Sequence, residues 1–287
     1  MTESERVSVG VLAEPYLREW QVRSLERARD GAGADISLVV VNDPSNAAVD
    51  PETVASAAND GPGFGLDTLE LLWLTLARER AWTLVVAERE LARRFGAEHP
   101  LSERRAVSDA DCLADAERRR VTPTTEGSWN ELPEETVREI GDRCDVVVRY
   151  GFGLIRGDVL EAPTEGVLSF HPADVRRYRG LGAPMAYLDG RRTVGVTLQR
   201  LTEAIDGGEI VAEATVDVDD CETLWDVYDR LHERQIELLA EGIENLRDPT
   251  IEPTVPEALG PYYSMDRRRQ PGFAVRTLLR NLHGRLS

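Results

Sequence analysis

The residues best suited to proton transfer lie close together in the second half of the chain. Ser169 and His171 belong to the apolar run 167–171, and Asp206 opens the segment Asp-Gly-Gly-Glu-Ile at 206–210. Successive residues of a strand point to opposite faces, so Ser169 and His171 share one face. Because a histidine titrates near neutral pH, an imidazole between a hydroxyl and a carboxylate indicates acid–base chemistry.

Three familiar kinds of site are disfavoured by the surrounding residues. A serine-hydrolase triad needs a Gly-x-Ser-x-Gly elbow, but the sequence reads Gly-Val-Leu-Ser-Phe up to Phe170. Gly151, Gly153 and Gly157 suggest a dinucleotide loop, yet the third glycine is one position late and no acidic residue follows where a ribose partner is needed. The four histidines are scattered, which disfavours a zinc site.

The charge composition points to the solvent rather than to a partner. The chain has 52 Asp and Glu residues and 34 basic residues, all of them Arg, for a net charge of −18. No long acidic run exists, so this excess indicates a halophilic protein, because the Debye length falls to about 3 Å at 1 M salt. Three separated cysteines fit a reducing cytoplasm, and no apolar run approaches the roughly 18 residues of a membrane span. We therefore expect a cytoplasmic protein.

Hydrophobic periodicity predicts the elements that position these residues. Strands are predicted at 7–12, 36–41, 118–122, 144–150, 167–171, 195–200 and, at a sheet edge, 209–216; helices are predicted at 17–29, 66–81, 133–142, 184–188 and 222–246. Segment 82–95 fits a strand or a helix, and 96–120 is expected to be a surface excursion. The βαβ opening implies a parallel sheet. We predict an α/β fold with an open, mostly parallel twisted sheet and helices on both faces.

Two regions are predicted from composition. We expect residues 1–250, which carry the candidate acid–base residues, to form the catalytic domain, with a loop or insertion at 43–130, of which 43–65 is long enough to be mobile or functional. Residues 251–287 form a Pro-rich linker and a basic amphipathic helix. Docking of this helix on the domain is the favoured interpretation, and a membrane-surface or nucleic-acid helix is the alternative.

Five short motifs follow one another in a fixed order in this half of the chain. They are Asp-Val-Val-Val-Arg-Tyr-Gly-Phe-Gly-Leu-Ile at 145–155, Ser-Phe-His-Pro at 169–172, Arg-Tyr-Arg-Gly at 177–180, Gly-Val-Thr at 195–197 and Asp-Gly-Gly-Glu-Ile at 206–210. Together they resemble the folate-dependent formyltransferase family, which includes the glycinamide ribonucleotide, methionyl-tRNA and amino-sugar formyltransferases. The resemblance covers 144–247 and, loosely, the first βαβ unit. It implies a Rossmann-related formyltransferase fold.

The resemblance also implies a reaction. A formyl group passes from 10-formyltetrahydrofolate, the co-substrate, to an amine, and no metal takes part. His171 and Asp206 match the family's catalytic histidine and aspartate, whereas Ser169 stands where the family has asparagine. The asparagine and a protonated histidine hold the oxyanion, and the aspartate sustains that protonation. We expect a divergent enzyme in which Ser169 is the oxyanion donor.

Two further sets of residues match ligand-binding positions. The family's folate-contacting loop corresponds to Phe152, Gly153, Leu154 and Ile155, with plain packing as the alternative. Arg177 and Arg179 suit a phosphate or carboxylate of the acceptor, with a solvated loop as the alternative.

A small-molecule amine, such as an amino sugar, is the expected acceptor. The tRNA formyltransferases carry a C-terminal β-barrel, whereas only a short segment follows Leu246, and an acidic body repels nucleic acid. Two alternatives stay open: a formyltetrahydrofolate hydrolase, and a catalytically degenerate folate- or ligand-binding relative. The sequence leaves the identity of the acceptor and the oligomeric state open.

Overall fold

The computed structural model describes residues 6–43, 79–95 and 99–286. The predicted loop 43–65, apart from its first residue, and residues 66–78 of the predicted helix 66–81 lie outside these ranges. The strands are β1 (Val7–Ala13), β2 (Tyr16–Arg18), β3 (Ala34–Asn42), β4 (Arg104–Ala106), β5 (Glu117–Val121), β6 (Thr124–Glu126), β7 (Trp129–Glu131), β8 (Val146–Arg149), β9 (Leu154–Ile155), β10 (Val167–His171), β11 (Arg179–Gly180), β12 (Thr193–Arg200), β13 (Glu209–Asp217) and β14 (Tyr262–Tyr263). The helices are α1 (Glu19–Ala32), α2 (Thr83–Arg94), α3 (Glu134–Arg143), α4 (Gly182–Leu188), α5 (Leu224–Arg247) and α6 (Pro271–Gly284).

A seven-stranded sheet with the order β13-β12-β10-β8-β1-β3-β5 forms the centre of the fold. The five strands from β10 to β5 are parallel, and β12 runs antiparallel to both β10 and β13. Parallel strands are buried on both faces, which explains why β8 is a run of valines that are fully buried up to Val148. The predicted α/β fold is confirmed, with β13 at the edge as expected.

The two faces of the sheet carry separate cores. Val146, Val148 and Leu168 pack with residues of α1 and α5, whereas Val147 and Val167 pack with residues of α3. Strand alternation extends this division to the ends of β8 and β10. The side chains that follow Val147 and Val167 by two or four positions therefore share the α3 face, and Ser169 and His171 are among them.

The helices begin where side chains satisfy their free backbone N–H groups or match the helix dipole. The backbone N–H of Asp226 donates to Thr223 Oγ1 at 3.2 Å, and the N–H of Thr223 donates to Asp226 Oδ2 at 2.7 Å, which caps α5 reciprocally. Glu134 and Glu135 occupy the first turn of α3 after Pro133, where their negative charges match the positive end of the helix dipole. None of the described helices combines the length and apolar character that a membrane span requires.

For two segments the structure resolves an open assignment or differs from the prediction. Segment 82–95, which fitted a strand or a helix, contains α2. The expectation that 96–120 is a surface excursion is wrong, because Leu101, Val107 and Leu113 are buried in it. The segment also leads directly into β5, which extends the parallel sheet beyond β3. Scattered apolar anchors among many charges lack the periodicity that would have revealed this packing.

The C-terminal helix docks on the body of the protein. Phe273, Ala274 and Thr277 of α6 are buried. Asn281 accepts a hydrogen bond from the backbone N–H of Leu224 at 3.0 Å and donates to Glu88 of α2 at 2.9 Å. These contacts agree with the docking interpretation of the basic helix.

Candidate active site

The candidate catalytic residues lie at the carboxyl ends of neighbouring strands. Ser169 and His171 end β10, and Arg149 ends the adjacent parallel strand β8. On the other side, β12 places Gln199 opposite Ser169 and Thr197 opposite His171. The carboxyl ends of strands are where α/β proteins bind their ligands. Five polar side chains thus enter the α3 face of this edge.

His171 is held between two hydrogen-bond acceptors. Its Nδ1 lies 3.3 Å from Asp206 Oδ1, and its Nε2 lies 2.8 Å from the carbonyl oxygen of Tyr178. A neutral imidazole carries one N–H, so both contacts are satisfied only by the doubly protonated ring. The ring is buried. Both ring nitrogens of His171 therefore face hydrogen-bond acceptors.

Asp206 is the anion that faces this ring. Its Oδ2 accepts from the backbone N–H of Gly180 at 2.7 Å, and its Oδ1 accepts from Gln199 Nε2 at 3.2 Å. Burial acts to raise the pKa of Asp206, but the hydrogen bonds and charge of His171, with those from Gly180 and Gln199, outweigh it and hold the pKa below its ordinary value. Asp206 is thus ionised at neutral pH.

The loop that carries Asp206 is fixed by its own backbone. Asp206 has φ +48°, in the left-handed region that aspartate tolerates better than most residues. The N–H of Gly208 donates to Gln199 Oε1 at 3.3 Å, so the buried Gln199 amide bonds both Asp206 and the backbone two residues later. A Cβ on Gly208 would clash with the carbonyl of Arg200. This close approach explains the Asp-Gly-Gly sequence.

Ser169 is paired with Arg149 rather than with His171. Arg149 Nη2 donates to Ser169 Oγ at 2.7 Å, and Nη1 donates to the carbonyl of Gly153. The structure shows no hydrogen bond between Ser169 and His171 in the described residues, so the hydrolytic triad is not assembled. The Oγ lone pair is used by the guanidinium, which leaves the hydroxyl hydrogen of Ser169 to donate elsewhere.

Arg149 is a functional candidate that the sequence reasoning did not single out. Its Nε is buried and has no hydrogen-bond partner, and burial lowers the pKa of the guanidinium. Among the described residues, no carboxylate forms an ion pair with it. Its one sequence signal is a charged residue ending the strand Val-Val-Val-Arg. An unpaired buried cation with a spare donor is suited to receive an anion or a carbonyl oxygen.

The predicted folate loop is a rigid turn between two strand ends. Phe152, at φ +66°, and Ile155 have buried side chains in the α3 core. The N–H of Phe152 donates to Glu14 Oε1 at 2.8 Å, and its carbonyl accepts from Asn130 Nδ2 at 2.7 Å. The sequence alternative of plain packing describes these two side chains. Exposed Gly153 and half-buried Leu154 are the positions of this loop whose backbone is accessible to a ligand.

Arg177 and Arg179 lie beside the site with different surroundings. Arg177 is 62% exposed, with Nε 3.7 Å from Asp174. Arg179 has a buried Nε without a partner, and its guanidinium lies 6.0 Å from the ring centre of Tyr262. The segment they belong to also supplies the carbonyl and N–H groups that hold His171 and Asp206. No cluster of three or more metal-ligating side chains occurs in the described part of the chain.

The family of this chain follows from its sequence. The family model described as formyl transferase matches residues 101–243, a range that contains the ends of β8 and β10 and the loop of Asp206. The chain belongs to the formyltransferase family.

Individual relatives give the same assignment at low identity. Methionyl-tRNA formyltransferase from Bacillus velezensis is 24% identical over 176 residues, which are 60% of this chain and 55% of that protein. The chain spans about half the length of the curated relatives that it matches.

Solved structures show the shared fold. An N-formyltransferase from Helicobacter canadensis in complex with folinic acid and dTDP-3-aminofucose superposes with a TM-score of 0.52 and 13% identity, covering 95% of this chain and 79% of the other. A formyltetrahydrofolate deformylase from Pseudomonas syringae gives a TM-score of 0.52 and 15% identity, covering 88% and 66%.

Proposed function

We propose that this protein transfers a formyl group from 10-formyltetrahydrofolate to the amine of a small-molecule acceptor such as an amino sugar. The observation that carries the proposal is the pair of buried polar networks, His171 with Asp206 and Arg149 with Ser169, side by side at the ends of adjacent strands. The Helicobacter canadensis enzyme, which binds folinic acid and an amino sugar nucleotide, supports both halves of the proposal.

The chemistry needs charge stabilisation more than a nucleophilic side chain. The co-substrate supplies an electrophilic formyl carbon. The acceptor nitrogen bonds to that carbon, the bond from the carbon to the folate nitrogen breaks, and the proton lost by the acceptor ends on the folate nitrogen. The formyl oxygen gains negative charge on the way, so preorganised donors aimed at it lower the barrier.

Arg149 and Ser169 are the donors that the proposal assigns to this oxygen. Ser169 has a free hydroxyl hydrogen, and Arg149 has an unused Nε–H beside it. A charged donor forms a hydrogen bond roughly twice as strong as a neutral one. We infer that Arg149 compensates for the asparagine amide that this chain lacks. The spare donor also makes the site fit a bound carbonyl or carboxylate oxygen of the folate.

In the proposal, His171 and Asp206 help to stabilise the negative charge that develops on the formyl oxygen. Both ring nitrogens of His171 are engaged, so in this arrangement the group contributes its positive charge to the site. Asp206 lies 3.3 Å from His171 Nδ1 and anchors the segment of Gly180 at the same time. The proposal therefore makes Asp206 a positioning residue and gives His171 an electrostatic role.

The test is turnover of 10-formyltetrahydrofolate with a panel of amines at several salt concentrations. Tetrahydrofolate is followed by absorbance and the formylated amine by mass spectrometry. We expect His171→Ala to lose roughly 10²-fold or more in kcat, as is typical when an acid–base or electrostatic group is removed. His283→Ala, on α6, is the matched control and retains activity. Full activity in His171→Ala contradicts the assignment.

The same assay separates the other reactions of this fold. Release of formate with no amine present identifies a hydrolase, a possibility favoured by the fold shared with the Pseudomonas syringae deformylase. Failure to bind the folate by calorimetry at high salt indicates a relative that has lost the reaction. Either result replaces the transferase proposal.

A further inference from the structure

Three arginines converge where β2, β4 and α2 meet, away from the site described above. Arg18 of β2 is the direct cross-strand partner of Arg104 on antiparallel β4. Side chains of such partners lie on one face, with Cβ atoms about 4.5–5.5 Å apart. Arg89 of α2 joins them, with Nη2 donating to Ser102 Oγ at 3.0 Å and its guanidinium 4.5 Å from the ring centre of Trp225. We call Arg18, Arg89 and Arg104 the arginine cluster.

The cluster has no ion pair with a carboxylate within residues 6–43, 79–95 and 99–286. The contrast with its neighbour is sharp, because Arg105 on the same strand pairs with Glu19 at 2.7 Å. Two acids lie near the cluster: Glu90, which pairs with Arg93, and Asp229, which Ser102 contacts at 3.3 Å and whose carboxyl pKa is raised by burial. In the described residues, neither of these carboxylates forms an ion pair with an arginine of the cluster, although the chain has a net charge of −18.

This arrangement is unfavourable without a ligand. Like charges directly opposite on paired strands destabilise the pairing. Burial, followed by repulsion from Arg89 and Arg104, lowers the pKa of Arg18 to about 10. Half-buried His232, whose ring centre lies 4.9 Å from that of Trp20 in a stacked arrangement, adds no charge, since burial and the arginines lower its pKa to about 3. The repulsion would be relieved by an anion between the guanidinium groups.

We propose that the arginine cluster binds a phosphate or pyrophosphate group of a small molecule. Guanidinium groups present forked donors that match phosphate oxygens, and several of them around one anion neutralise its charge. Trp20 packs edge-on against Phe170 at 5.6 Å, and Phe170 lies on the face of β10 opposite to His171. The cluster is therefore on the α1 and α5 side of the sheet edge, distinct from the catalytic side chains.

The test is calorimetric titration of the full chain with inorganic pyrophosphate, without folate and at constant ionic strength. We expect saturable binding that weakens roughly 10- to 100-fold in Arg18→Gln and in Arg104→Gln, since each loses charged hydrogen bonds. Arg105→Gln is the matched control, because that arginine already has a carboxylate partner, and it keeps the wild-type affinity. No saturable binding, or equal affinity in all variants, overturns the proposal.

Thermal melting without ligand gives a second readout of opposite sign. Arg104→Gln removes repulsion and is expected to raise the melting temperature, whereas Arg105→Gln breaks an ion pair and does not. A lowered melting temperature in Arg104→Gln contradicts the unpaired state of the cluster.

Kinetics then show where the phosphate comes from, a step that rests on the proposed function. If pyrophosphate competes with the acceptor, the cluster holds the acceptor's own phosphate. If pyrophosphate changes kcat without competing, the cluster binds a separate phosphorylated effector. The calorimetric result stands in either case, so failure of the formyl-transfer assay does not affect it.

Discussion

Replacing Arg149 by methionine separates the cost of the guanidinium to the fold from its value to the reaction. The substitution keeps an unbranched side chain of similar reach and removes the charge and every donor. It also leaves Ser169 in place, with its hydroxyl free to rotate. The two measured quantities are the free energy of unfolding and kcat.

Two effects of the substitution on the free energy of unfolding oppose each other, whereas its effect on kcat has one direction. Loss of the two hydrogen bonds to Ser169 and Gly153 costs about 1.5–3 kcal/mol each for a charged donor. Burying an unpaired cation costs several kcal/mol, which the substitution recovers. We expect a net change in the free energy of unfolding below about 2 kcal/mol. Removing an oxyanion donor lowers kcat by about 10²–10³-fold, equivalent to ~2.7–4 kcal/mol.

The assay combines chemical denaturation with steady-state kinetics on the same preparations. Arg156→Met is the control, because Arg156 follows the nearby short strand β9 but is paired with Glu131 at 2.6 Å. Its kcat is expected to stay at the wild-type value. A folded Arg149→Met variant with unchanged kcat would refute the reasoning that places Arg149 at the reacting oxygen.

Three further substitutions test other parts of the structure. Asp206→Asn keeps a residue that tolerates the left-handed backbone and removes the charge. Because the pKa of Asp206 is depressed, the stabilisation it gives is present above the ordinary pKa of 3.8 and is lost as the pH falls below it. Melting curves of the variant should therefore show a smaller loss of stability in acid. Ser169→Asn alone should lower kcat, since the longer amide meets Arg149 in a buried site, and adding Arg149→Ala should recover part of that loss. A double-variant loss equal to the product of the two single-variant losses would show that the two positions are not coupled. Gly151→Ala places a Cβ 2.5 Å from the backbone N of Glu14 and should destabilise by about 1–3 kcal/mol in urea denaturation, whereas Gly272→Ala, which has open space around it, should not.

Much of the fold was predictable because its strongest signals are local. The valine-rich strands and the long amphipathic helix α5 have regular periods, and β10 begins and ends at the predicted residues. Segment 82–95 resisted assignment, since its few apolar positions fit more than one period until α6 packs against α2. Segment 101–113 is held by isolated apolar anchors, which periodicity does not detect.

The candidate site was predictable as far as its residues follow one another along the chain. His171 and Asp206 were singled out from their strand-end and loop positions, and the structure brings them within 3.3 Å. The partnership of Ser169 with Arg149 depends on which strands are neighbours in the sheet, a non-local property. The role proposed for Arg149 therefore depends on the pairing of β8 with β10 in the folded sheet.

The pairing of β11 with β14 ties the C-terminal segment to the backbone of the candidate site. Gly180, at φ +73°, packs so closely on the backbone of Tyr263 that a side chain would not fit. The same Gly180 donates to Asp206, and the preceding Tyr178 receives His171. Separating β14 from β11, by truncation before residue 262 or by a force applied at α6, should weaken both the Gly180–Asp206 contact and the Tyr178–His171 contact. The C-terminal segment therefore helps to hold in place the two backbone groups that contact His171 and Asp206.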